Sequence, residues 1–195
     1  MFVRMSAAIA AMSLLGSAAL AQGAKPTDPQ IAHIAYTAGV IDIAAAKQAL
    51  AKTSNKEVKA FAKDMVRDHE AVNKQALDLV KKLKVTPEDN DTSRTLSKNA
   101  ADKLAELRKL KGAEFDKAYV ANEVAYHKAV DSALETTLIP NANNAELKSL
   151  LQTGLKIFQG HQQHAEPPAR NPRPALGQGC EIRRPADGRR RPRRR

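Results

Sequence analysis

The stretch Ser54-Asn55-Lys56-Glu57-Val58-Lys59-Ala60-Phe61-Ala62-Lys63-Asp64-Met65-Val66-Arg67-Asp68-His69, continuing to Leu83, decides the fold. Val58, Phe61, Met65, Val72, Ala76, Leu79 and Leu83 recur at the three- and four-residue steps of one helix face. His69 stands in that stripe where the next apolar residue belongs. Ser54 is an expected N-cap, with Glu57 three residues on completing a capping box. The helix is expected to end before Pro87. A helix of this length with one apolar face cannot stand alone and calls for partners of the same kind.

Those partners lie on both sides. Before it, Asp28 to Lys52 carries Pro29 in the first turn, where proline is tolerated, and the stripe Ile31, Ile34, Ala35, Ala38, Ile41, Ala45, Ala49. After the polar connection Thr86 to Asp91, Leu96, Leu104, Leu107 and Leu110 mark a shorter, less apolar helix that stops at Gly112. A fourth helix is expected over Ala113 to Leu138, with Phe115, Tyr119, Val120, Val124, Val130, Leu134 and Leu138 inward, closed by Pro140 and its asparagines. A fifth runs from Asn144 to Ala165, with Leu147, Leu150, Leu151, Leu155 and Phe158 inward. The four longer helices each span roughly 33 to 45 Å at about 1.5 Å per residue, which suits a four-helix bundle. Short links make the first and last pairs antiparallel. If the short third helix carries the chain back along the bundle, helices two and four become parallel, and the fold is the all-α, ferritin-like bundle with one long crossover.

The two ends of the 195-residue chain fall outside this domain. Arg4, the small apolar run Ala7 to Leu20 and Ala19-Leu20-Ala21 before Gln22 form the pattern of a secretory signal peptide, residues 1–21, with 22–27 as linker. The run is too short for a bilayer span, which needs about 20 apolar residues. The expected product is an exported, soluble periplasmic protein, with peripheral association with the outer membrane in keeping with that address. From Glu166 on, ten arginines and no lysine appear, together with six of the ten prolines. Residues 166–195 therefore read as a disordered tail, and the abrupt exchange of lysine for arginine is what a shift of reading frame in a GC-rich gene produces. Of the formal net charge of +11, the tail carries +7 and residues 22–165 only +3. With no aromatic residue among the arginines, nucleic acid is not an expected partner. Cys180 is the only cysteine, so stability must come from packing.

On each long helix the apolar stripe is broken by a residue able to bind metal: Asp42, His69, His127 and His161. By helical spacing all four point inward, where an unpartnered carboxylate or imidazole is costly. Asp68, Glu123, Asp131 and His164 lie close enough in sequence to add further ligands. Such a mixed set suits zinc, iron, manganese or copper. The competing expectation is four core residues that hydrogen-bond among themselves. Di-iron oxidation is disfavoured, since Val66 and Val124 stand where a Glu-x-x-His motif needs an acid. No phosphate loop, Gly-x-Ser-x-Gly elbow or paired-cysteine motif is present, so the reading leans away from an enzyme. His33, Tyr36, Tyr119 and Tyr126 are assigned to packing or surface roles. Inward neutral histidines also predict loss of stability on mild acidification.

Gly39-Val40-Ile41-Asp42, Phe61 to His69 with its Met-Val-x-Asp-His core, Phe115-Asp116-Lys117-Ala118-Tyr119 leading to His127, and Gly160-His161 together resemble the bacterial domain of unknown function 4142. That family comprises secreted ferritin-like proteins often labelled outer membrane proteins. The resemblance spans nearly all of residues 28–165 and implies a helical bundle outside the cytoplasm; it implies no reaction. Family members often carry Glu where this chain has Asp42, and they continue the last helix where this chain turns to Pro and Arg. The functional expectation is an exported bundle that holds a transition metal in an envelope or stress-protection role, and the alternative is a structural or envelope-interaction protein without metal. Oligomeric state is not legible.

Overall fold

A computed structural model of the chain describes residues 25–170. The expected signal peptide, most of the expected linker, Cys180 and the chain beyond Arg170 lie outside the described residues. Six helices follow in order: α1 (Asp28–Lys52), α2 (Lys56–Leu83), α3 (Asp91–Lys109), α4 (Gly112–Ala133), the short α5 (Ile139–Asn141) and α6 (Ala145–Arg170), with a π-helix, Leu134–Leu138, between α4 and α5. None is long and apolar enough to cross a membrane.

Cross-links between helices fix the direction of each. Gly39 meets Asn73, Lys47 meets Glu70, and Asp42 meets His69, so α1 and α2 are antiparallel. Lys128 pairs with Glu166 and Gln159 with Glu135, which makes α4 and α6 antiparallel. Asp68 to His161 and Lys82 to Glu146 set α6 antiparallel to α2. Tyr126 Oη donates to the Ala38 carbonyl and closes the square between α4 and α1. Gln48 and Lys52 of α1 donate to the carbonyls of Leu104 and Arg108, each 56 residues ahead, so α3 runs parallel to α1 along the outside. Helix α3 is therefore the crossover, α2 and α4 are parallel, and the four-helix bundle has the arrangement expected from the link lengths.

Local chemistry moves several boundaries. Asn55, not Ser54, caps α2: its Oδ1 accepts from the backbone of Glu57 and Val58, an amide carbonyl being the better placed of two adjacent cap residues. Asn90 caps α3, nearly two turns before its first leucine, Leu96, with Ser93 completing the box. Pro140 does not close the fourth helix. The backbone instead widens into π geometry, with Ile139 N–H bonding to Leu134 C=O; this frees the Thr136 carbonyl that a proline four residues on would meet, and the short α5 follows. Asn144 caps α6 through Glu146 and Leu147 N–H. Helix α6 runs on past Ala165 to Arg170, and Gln162 and Lys128 both hold Glu166 in the last turns.

Two apolar clusters fill the bundle. One gathers Ala45, Ala49, Phe61, Met65, Leu107, Phe115 and Val120. The other gathers Ile31, Ile34, Leu134, Leu138, Leu147, Leu151 and Phe158. Between them lies a layer of buried polar side chains.

Candidate metal centre

Each of the four bundle helices contributes to that layer. Asp42 comes from α1, His69 from α2, Glu123 and His127 from successive turns of α4, and His161 from α6; none is more than 7% exposed. Small residues on α1 make room for it. At Gly39 an added Cβ would stand 2.3 Å from Asn73 Oδ1, so glycine is what lets α1 and α2 close together one turn before Asp42.

His69, His127 and His161 form a triangle, with ring centroids 5.7, 5.3 and 5.6 Å apart. One nitrogen of each lies within 4.8 Å of the others. The hydrogen bonds decide which nitrogens are free. His127 Nδ1 is 2.9 Å from the Glu123 carbonyl, which can only accept, so Nδ1 carries the proton and Nε2 keeps its lone pair. His161 Nε2 is 3.0 Å from Asp68 Oδ2. Asp68 is held in its ionised form chiefly by hydrogen bonds from Arg67, so it too accepts, and His161 Nδ1 is left with the lone pair. His127 Nε2, His161 Nδ1 and both nitrogens of His69 have no hydrogen-bond partner although buried. His69 lies flat on Phe158, 4.6 Å away and 3° from parallel, which fixes its plane. Burial, reinforced by mutual repulsion, pushes the pKa of His69 down to about 2 and that of His127 down to about 4, so both are neutral lone-pair donors.

The other half of the layer is acidic. An oxygen from Asp42, one from Glu123 and a nitrogen of His127 also lie within 4.8 Å of one another. Burial raises both carboxyl pKa values, and for Asp42 the nearby Glu123 raises it further. Asp42 Oδ2 is 3.6 Å from His69 Nε2, which ties the acidic half to the histidine triangle. Tyr119 points its hydroxyl into the same region without a partner, and burial together with Glu123 and Asp42 raises its pKa.

Asp42, His69, His127 and His161 are thus all brought into one layer, and Glu123 with them. Asp68 is not in the layer; it is partly exposed and reaches the site only through His161. Asp131 is buried but stands apart from both groups. His164 is exposed and edge-on to Phe61 at 5.4 Å, so one turn beyond His161 it lies at the level of the apolar cluster that holds Phe61, not of the layer. Tyr119 is one of the residues the sequence assigns to packing or surface roles. The signal for its role is its place one turn before Glu123 on the inward stripe.

Fold and layer together define a helical bundle with a buried three-histidine, two-carboxylate centre. The chain belongs to the family Domain of unknown function (DUF4142), whose model matches residues 14–167. No curated protein matches it. Among solved structures it is similar to "CopM in the Cu(II)-bound form", with a TM-score of 0.58 and 15% sequence identity over 75% of this chain and 98% of that one. At that identity the likeness is one of fold.

Proposed function

We propose that this protein binds one transition-metal ion through His69, His127 and His161, as a non-catalytic metal carrier or buffer of the cell envelope. The observation that carries the reading is an overlap of two sets: of the five buried ring nitrogens that lack a hydrogen bond, four belong to the three rings that converge, and the fifth, His33 Nδ1, lies away from them near Asp89. Leaving one such nitrogen bare costs roughly 1–3 kcal/mol, and a cation is the one ligand that satisfies three lone pairs at once. Histidines that served only the core would be paired with donors, and these are not. Contraction to metal–nitrogen distances of about 2.0–2.1 Å needs small side-chain shifts only.

The surroundings fit the role. The Glu123 carbonyl and the Asp68 carboxylate each accept from the far nitrogen of a ligand, the arrangement that orients imidazoles on a metal and raises their basicity. Asp42 is the natural fourth donor beside His69. Three imidazoles favour copper or zinc over manganese, and the Cu(II)-bound neighbour of like fold makes copper the first ion to test. Metal analysis of the purified protein after loading with Cu(II) or Zn(II) should give one equivalent, lost in His69→Ala and in His127→Ala. No metal under replete conditions, or a full equivalent retained by both variants, overturns the reading.

A further inference from the structure

A cleft of about 440 Å³ opens between α4 and α6, lined by Lys128, Asp131, Ser132, Glu135, Gln159, Gln162 and Gln163. At its floor is Asp131, 6% exposed, with neither carboxylate oxygen hydrogen-bonded. A buried carboxylate with two bare oxygens is as costly as the bare imidazoles, yet nothing in the fold uses it. The other cleft groups are arranged around oxygen. Gln159 donates an amide N–H to Glu135 and Gln162 donates one to Glu166, so each amide also offers its carbonyl oxygen to a ligand. Lys128, the one cation of the lining, is engaged by Glu166. Burial and repulsion from Glu135 push Asp131 up to a pKa of about 6, a cost that a bound cation would relieve.

We propose that this cleft is an outer cation site, where a hydrated divalent ion binds Asp131 and Glu135 before passing to the histidines. Its position supports the transfer: Asp131 is one turn beyond His127 on α4, and Gln162 follows His161 on α6. Asp131 is also near enough for its charge to be felt at Asp42, inside the layer. The donors are matched to the two stages. Carboxylate and amide oxygens hold a hard, hydrated ion loosely, and imidazoles then take a softer ion more tightly once its water is lost.

The inference rests on the histidine reading only for the second step, and the test separates the two. Mn(II), an ion that prefers oxygen, is titrated into metal-free full-length protein and its binding followed by loss of the free-ion paramagnetic signal. Asp131→Asn should weaken Mn(II) binding at least ten-fold, and Glu135→Gln, an exposed change that leaves the core untouched, should weaken it several-fold. In the same proteins, the rate at which Cu(II) perturbs the His127 and His161 ring resonances should fall about ten-fold in Asp131→Asn, with the final stoichiometry unchanged. Equal Mn(II) affinity in wild type and both variants, or equal Cu(II) loading rates, overturns the proposal. Failure of the histidine reading looks different: the ring resonances then stay still in every protein, and the Mn(II) affinities alone decide whether the cleft is a site.

Discussion

Asp68 shows how a residue outside the layer can set its chemistry. Arg67 grips the carboxylate through Nε and Nη2, at 2.7 and 3.0 Å, and the carboxylate fixes the proton on His161 Nε2. Asp68→Ala should therefore lower metal affinity by about 10- to 100-fold while leaving the fold intact, as competition with a chromophoric chelator would measure; an affinity within two-fold of wild type would mean that His161 needs no orienting partner. His69 makes the complementary case. Two bare nitrogens against Phe158 make it costly without metal, so His69→Phe should stabilise the chelated protein by about 1–3 kcal/mol in urea unfolding while abolishing metal uptake. A destabilised variant would indicate that His69 has partners of its own. The pH response also belongs to single residues. His69 and His127 have depressed pKa values, so the unfolded chain takes up their protons below about 6.5 when the folded one does not, and stability falls with acid. Asp42, Glu123 and Asp131 have raised values, so the folded chain holds protons that the unfolded one has released, and stability falls as pH rises from about 4 through 6 and beyond. The carboxyls offset the imidazoles. Against the loss of stability on acidification expected from the histidines alone, the unfolding midpoint of chelated protein should not fall between pH 7.5 and 5.5, and in Glu123→Gln, with one of three opposing groups removed, it should respond less favourably to acid than in wild type. A midpoint that drops equally in both would show that the carboxyls do not hold their protons.

At the scale of elements, the legible part was whatever a helical period can carry. His69 was recognisable because it occupied a step of the stripe from Val58 to Leu83, and Asp42, His127 and His161 for the same reason. The period says which residues share a face; it does not say how deep on that face each sits. Asp131 and His164, both expected only as additional ligands near the four stripe residues, are told apart by the packing of α4 against α6, which buries one beneath a cleft and leaves the other exposed. Pro140 was read as a stop because the π-helix that absorbs it has no sequence period of its own. Gly39 belongs to the Gly39-Val40-Ile41-Asp42 stretch that carries the family resemblance, and only the close approach of α1 to Asn73 shows what it does. Gly39→Ala should thus cost about 1–3 kcal/mol, since Asn73 is buried and has little room to turn. Urea unfolding of the chelated protein measures it, and an unchanged midpoint would mean that the two helices separate freely. The same shift would carry Asp42 outward by one turn's leverage, so a parallel loss of metal affinity is expected.

For the whole molecule, the polar layer divides the interior into two apolar clusters and so interrupts what would otherwise be one continuous core. Each cluster draws on several helices, but the layer between them contributes bare polar atoms instead of packing, and it is where the metal-free bundle is weakest. An ion bound there would join α2, α4 and α6 directly and α1 through Asp42, replacing the least stable level of the bundle with the most constrained one. Because the ion binds the folded chain alone, free metal at about 100 times its Kd adds about 2.7 kcal/mol. For a domain of this size that corresponds to a rise in melting temperature of about 5 to 10 °C. The shift should grow with the logarithm of free metal, vanish on chelation, and be absent from His127→Ala, since that residue stands in both ligand groups. Amide exchange adds a spatial check. Protection should increase most around Asp42, His69, His127 and His161 and least along α3, which lies outside the bundle and gives no side chain to the layer. Uniform protection with a melting shift retained in His127→Ala would place the ion somewhere other than the layer.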